Sequence, residues 1–196
     1  MTSRREALAG VAALFLIRDA LAQGRVEPGM RRREGDVRIQ GNAIVTGGDG
    51  LAVFVVGRDA HLVRANSEVS LAGRVVRVTT GALLSVFQPR QAKEIRTATA
   101  VIGIRGTGVY IEAEPQRTYV CTCYGVADLQ PIADPAARET VRTRHHEQPR
   151  YIMAAGAPQM MTSAPVINHT DAELIMLEAL VRRRPPFAES GAPPYK

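Results

Sequence analysis

Tryptophan is absent from this 196-residue chain, and aromatic residues amount to 5% of it. So few rings give bases little to stack on, which argues against nucleic acid as a partner. Cysteine is nearly as scarce, with Cys121 and Cys123 the only two. Their spacing provides neither the paired Cys-x-x-Cys units of a zinc ribbon nor the Cys-x-x-Cys-His of covalent haem attachment. There is no G-x-S-x-G elbow, no H-E-x-x-H helix, and no carboxylate pair that stands out from the scattered acids, so hydrolytic catalysis has no visible machinery and no catalytic residue is assigned. The N-terminal apolar run, Ala7 to Ile17, is too short for an anchor. As a helix it would span roughly 16 Å against ~30 Å of hydrocarbon.

That run has a basic start, Arg4 and Arg5, and is followed by the small-x-small triplet Ala20, Leu21, Ala22. This is the anatomy of a secretory signal over residues 1–22, cut before Gln23. The "SRREAL" opening resembles a twin-arginine export signal, with Glu6 and Ala7 where the fuller pattern has any residue and then Phe, so Sec export stays open beside it. Cleavage takes the formal charge from +6 to +5, because Arg4, Arg5 and Arg18 leave with Glu6 and Asp19. The mature chain is expected to be periplasmic or secreted. Its basic segments "MRRREGDVR", "RTRHHEQPR" and "VRRRPP" read first as solvated ends and loops, and second as surfaces for an anionic membrane or acidic partner.

With 45% apolar residues, the chain has enough to bury the core of one domain. After a basic linker over residues 23–34, short runs rich in Val, Ile, Thr and Leu follow one another between glycine turns: "DVRIQGN", "LAVFVV", "AHLVR", "RVVRVTT", "LLSVFQ", "AVIGI", "GVYIEAE" and "RTYVCTCYG". This pattern predicts an all-β roll, sandwich or solenoid-like domain over 35–156. His61, in "AHLVR", is expected on a strand surface. Further strands are expected around Glu139 to Arg144 and in "RYIMAAG", and "APQMMTSAPVINH" reads as irregular. The chain then offers one helix: Thr170 and Glu173 form a capping box, Asp171 adds negative charge to the first turn, and Leu174, Leu177 and Val181 give an apolar stripe to pack on the β core. Arg182 to Arg184 suit its end, Pro185 and Pro186 stop it, and residues 185–196 read as a disordered tail.

The segment "EIRTATAVIGIRGTGVYIEAE", leading to the strand "TYVCTCYG", resembles the FecR domain, the periplasmic module of iron dicitrate transport regulators. Thr97 to Ala100, then Arg105, Gly106 and Thr107, then Tyr110 stand at the family's "TPTA…RGT-x-F/Y" positions. "IVTGGDGLAVFVVGRD", "TTGALLSVF" and "YIMAAG" are similar to its flanking elements, so the likeness covers roughly 35–156. The resemblance implies an all-β, non-enzymatic signalling or sensing module that binds an envelope protein or a small ligand. Physically, Gly106 and Gly108 suit a tight turn or bulge, and Arg105 and Thr107 suit hydrogen bonds to loop carbonyls. No helix follows this glycine cluster, which argues against a phosphate loop.

On a regular strand Tyr119, Cys121 and Cys123 share one face, and Val120, Thr122 and Tyr124 the other. The cysteine Cα atoms would then stand ~6.5 to 7 Å apart, beyond easy reach of a disulfide. Three readings are open: small core residues, a labile redox pair, or ligands for a transition metal (zinc, copper or iron). The imidazoles that could complete a metal site are His145, His146 and His169, with Met153, Met160 and Met161 as weaker candidates.

Overall fold

A computed structural model describes residues 29–189 and Tyr195. The expected signal segment lies outside the described residues, among which no helix is long and apolar enough to cross a membrane. Among the described residues the fold is all-β with one α-helix, and the strands join in one 13-stranded sheet. They are β1 (Met30–Glu34), β2 (Val37–Gln40), β3 (Ala43–Thr46), β4 (Leu51–Val56), β5 (Asp59–Val63), β6 (Glu68–Ala72), β7 (Val75–Val86), β8 (Ala92–Arg96), β9 (Ala100–Ala113), β10 (Arg117–Pro131), β11 (Glu139–Thr143), β12 (Arg150–Met153) and β13 (Met161–Ser163), followed by helix α1 (Asp171–Leu180).

Three long strands hold this sheet together by changing neighbours along their length. β7 pairs with β6 and, in parallel, with β8 through its first half, then with β5 and β9 through its second. β10 runs beside β9 throughout, with β12 on its other edge near Arg117 and β11 near Gly125. One half of the molecule is thus β2-β3-β6-β7-β8-β9-β10-β11, and the other is β1-β4-β5-β7-β9-β10-β12-β13. Residues from both halves, such as Ile44, Val69 and Val78 from the first and Phe54, Leu83 and Ile111 from the second, meet in one apolar core. A second cluster lies where α1 covers β5 and β7, built from Leu62, Leu84, Tyr110, Tyr119, both cysteines, Leu174 and Leu177.

Several sequence expectations change here. "RVVRVTT" and "LLSVFQ" are one strand, as are "AVIGI" and "GVYIEAE". The described end of the basic linker is edge strand β1, because Arg32 to Glu34 pair with Leu51 to Val53 while their side chains stay in water. The irregular region contains β13. His61 is buried at 1% exposure, since β5 is covered on both faces. Of the expected tail, Pro186–Glu189 is a 3-10 turn that buries Phe187 and Tyr195 is hydrogen-bonded to Asp171, while residues 190–194 and 196 lie outside the described residues.

The "RGT" segment is a bulge inside β9. Gly106 adopts φ +64°, and a Cβ there would come within 2.7 Å of Pro89 Cα. The ladder to β10 slips on either side of Tyr124. Thr107 mends it: its hydroxyl donates to Val126 O at 2.8 Å and accepts from Val126 N at 3.1 Å. Arg105 pairs with the Asp128 carboxylate at 2.9 Å across the strands, in place of the expected loop carbonyl. Gly108 makes room for the Tyr124 ring, which would lie 2.4 Å from any Cβ there.

Replacing Thr107 with the isosteric valine should leave both Val126 groups unpaired in the interior. We expect a loss of about 1–3 kcal/mol in urea unfolding followed by circular dichroism, with Thr107→Ser recovering most of it.

Candidate metal centre

The slip in the β9–β10 ladder aims the two thiols. Thr122 faces Val109 and Tyr124 faces Gly108, so Cys123 is the extra, unpaired residue of a bulge. The strict alternation expected of the strand therefore fails after Thr122, and Tyr124 joins the cysteines in the second cluster. Both cysteines are free and buried.

The histidines arrive from two other segments. His146 follows β11 with φ +60°, a left-handed conformation that costs a non-glycine residue about 1–2 kcal/mol. Its N–H donates to Cys123 O at 2.9 Å, pinning the loop to the bulge. His169 follows Asn168, also left-handed at φ +54°, and directly precedes the cap of α1. There the capping box forms as the sequence predicts, with Thr170 Oγ1 accepting from Glu173 N at 3.3 Å and Glu173 Oε2 accepting from Thr170 N at 2.9 Å.

Cys121 Sγ lies 3.4 Å from His146 Nδ1, Cys123 Sγ lies 3.4 Å from His169 Nε2, and the two ring nitrogens lie 3.1 Å apart. All four donor atoms fall within 4.8 Å of one another. A tetrahedral ion with bonds of ~2.3 Å to sulfur and ~2.0–2.1 Å to nitrogen sets S and N ~3.5 Å apart and two nitrogens ~3.3 Å apart. These three separations match that figure before any ion is considered.

Outer partners fix which nitrogen of each ring faces inward. His146 Nε2 meets Asp171 Oδ1 at 3.0 Å, and His169 Nδ1 meets the Ile167 carbonyl at 2.6 Å. Because a carboxylate and a carbonyl only accept, each of these nitrogens carries the proton, which leaves a bare lone pair on the inward one. Two lone pairs 3.1 Å apart repel unless a cation, a metal or a proton, lies between them.

Without a metal, protons fill that role. Burial alone would raise Cys121, yet bonds with Cys123, His146 and His169 bring its thiol well below the ordinary range. Burial and the neighbouring Cys121 push Cys123 well up. Burial would lower His146, but bonds to Cys121 and Asp171 outweigh it and raise the ring. Burial would also raise Asp171, and the Tyr195 N–H with both histidines holds it below the carboxylate range instead. In the metal-free site these shifts favour the charged forms of Cys121 and His146 and the protonated form of Cys123.

Of the predicted ligands, Cys121, Cys123, His146 and His169 converge, and His145 does not. His145 Nε2 is taken up by Asp171 at 2.8 Å, and its ring stacks on Phe187 at 4.6 Å. Met153 and Met160 are joined by a backbone bond at the β12–β13 hairpin, and Met161 packs against the main core. Sequence reasoning missed Asp171 as the partner of both His145 and His146; its place in the first helical turn explains it equally well as a dipole charge. It also missed Tyr195, which lies over the His146 ring at 5.4 Å and has no motif to mark it.

No protein-family model and no curated protein matches this sequence. Among solved structures, a candidate anti-sigma factor from Parabacteroides distasonis is similar, with 10% identity and a TM-score of 0.51 over 62% of this chain and 58% of that one. A second structure of the same description and organism has 11% identity and a TM-score of 0.49 over 67% and 70% of the two chains. At such identity the first likeness is one of fold, and this chain spans less than two thirds of that protein's length.

Zinc titrated into metal-free protein near neutral pH should displace the protons of Cys123 and His146. Calorimetry in buffers of different ionisation enthalpy reads that release, and affinity should fall as pH falls because protons compete for the same lone pairs. Asp171→Asn should weaken binding about 10- to 100-fold by loosening the His146 ring.

Proposed function

We propose that this chain is a non-enzymatic, metal-binding β module of the cell envelope, in which Cys121, Cys123, His146 and His169 hold one transition-metal ion. The observation that supports this reading is the meeting of four donor atoms whose inward lone pairs are pre-set by their outer partners. Zinc is the first candidate. Two thiolates neutralise a divalent ion, whereas copper(I) would leave a net negative charge in a buried site, which is costly. Iron(II) shares the charge argument but has no special claim on a tetrahedral site.

The ion would have a structural role. Its ligands are 0–4% exposed, so no open position is left for substrate, unlike a catalytic zinc that keeps one for water. It would join the β10 bulge, the loop after β11 and the N-terminus of α1, three segments far apart in sequence. The basic, then apolar N-terminus and the FecR-like "RGT" segment support export and a role in binding an envelope protein or small ligand. The fold shared with a candidate anti-sigma factor agrees with a regulatory role of that kind, although one fold serves many functions.

Protein purified after native export should begin at Gln23 and carry close to one equivalent of metal by elemental analysis. The Cys121→Ser, Cys123→Ser double variant should lose the metal and melt several degrees lower. Metal-free protein whose melting is unchanged by those substitutions would contradict the proposal.

A further inference from the structure

Away from the cysteine–histidine quartet, a cavity of about 180 Å³ is lined by residues of β4, β5, β6, β7 and β8, with the exposed Val56 at its surface side. Val56, Leu71, Val76 and Phe87 form its apolar wall. At its polar end lie His61 and Asp59, with Lys93 beside them. The His61 ring is held between Phe54, stacked at 4.9 Å, and Phe87, edge-on at 5.6 Å. Among the described residues its one hydrogen bond is from Nδ1 to Ser85 Oγ, at 2.8 Å. Ser85 is fully buried and its hydroxyl has no other acceptor among the described residues, so it donates to Nδ1. His61 Nε2 therefore bears the ring proton and has no hydrogen-bond partner among the described residues.

Asp59 supplies the complementary group. Its Oδ1 accepts from Gln88 N at 2.7 Å and its Oδ2 pairs with Lys93 Nζ at 3.1 Å, and each carboxylate oxygen still has a lone pair to offer. Lys93 and Asp59 cancel in charge, so the cavity suits a neutral guest. Burial first of all, with Lys93 assisting and Asp59 opposing, takes His61 down to about 4, and the ring is neutral under ordinary conditions.

We propose that this cavity binds a small phenol: one aromatic ring against Val56, Leu71, Val76 and Phe87, with its hydroxyl accepting from His61 Nε2–H and donating to Asp59. The size agrees, since an apolar protein cavity of ~150 Å³ takes up benzene. A hydroxyl is the simplest group that both accepts from an imidazole and donates to a carboxylate. The cavity and the metal quartet share no residue, so this inference stands or falls separately from the metal proposal.

Phenol itself is the probe. Titrated into the full chain to about 10 mM, it should shift the His61 side-chain ¹⁵N resonances saturably, with a Kd of about 1 mM or tighter. It should also give intermolecular NOEs to the Leu71 and Val76 methyls. Toluene, unable to satisfy the imidazole, should bind about tenfold more weakly. Val76→Phe, which fills the cavity, should abolish binding while the circular dichroism of the fold is kept; the NOEs in the parent protein decide the matter if that variant does not fold. The absence of a saturable shift, NOEs to another region, or equal binding of toluene would each overturn the proposal.

Discussion

The β10 bulge, the loop after β11 and the start of α1 meet at two imidazole nitrogens held 3.1 Å apart, each ring with an outer acceptor for its proton on the far side. Left alone, that contact is repulsive. What makes it tolerable is a positive charge in the middle, and the surroundings are shaped to supply one. Asp171 and the Ile167 carbonyl turn the rings inward, and both thiols lie within 4.8 Å of the two inward nitrogens. The costs of this geometry are visible in the backbone, where His146 and Asn168 both sit in the left-handed region that non-glycine residues avoid.

The scaffold makes that arrangement possible through a single irregularity. Had β9 and β10 paired without a slip, Cys121 and Cys123 would have been ordinary strand neighbours. The bulge frees Cys123 from the ladder, and its carbonyl then takes the His146 N–H. The same slip brings Tyr124 onto the helix side, where its hydroxyl donates to the buried Glu178 carboxylate of α1, which Arg183 also holds at 2.6 Å. Thr107, in the motif that resembles the FecR family, repairs the hydrogen bonds next to this slip. A residue group that looked like a turn signal is thus the device that bends the central strands beside the cysteine–histidine quartet.

Much of this was legible in the residues. The strand-rich class, the capping box at Thr170 and the stripe of Leu174 and Leu177 follow from local chemistry and periodicity, and the structure repeats them. Cys121, Cys123, His146 and His169 were candidates because soft sulfur and imidazole are what a transition metal takes. The separation of His146 from His145 was not legible, since adjacent histidines look alike until a φ of +60° turns one inward. Burial of His61 was also hidden: "AHLVR" does not show that β5 will be covered on both faces. Phe187 and Tyr195 were read as tail because Pro and Gly surround them, and their packing depends on rings from β10 and the histidine loop.

The central claim is the identity of the four atoms around one metal ion. X-ray absorption at the metal edge, on protein purified without added metal or chelator, tests it directly. The account predicts a single shell of two sulfurs at ~2.3 Å and two imidazole nitrogens at ~2.0–2.1 Å, with no metal–metal distance. A shell of oxygen ligands, a metal pair, or no edge signal above background would contradict it.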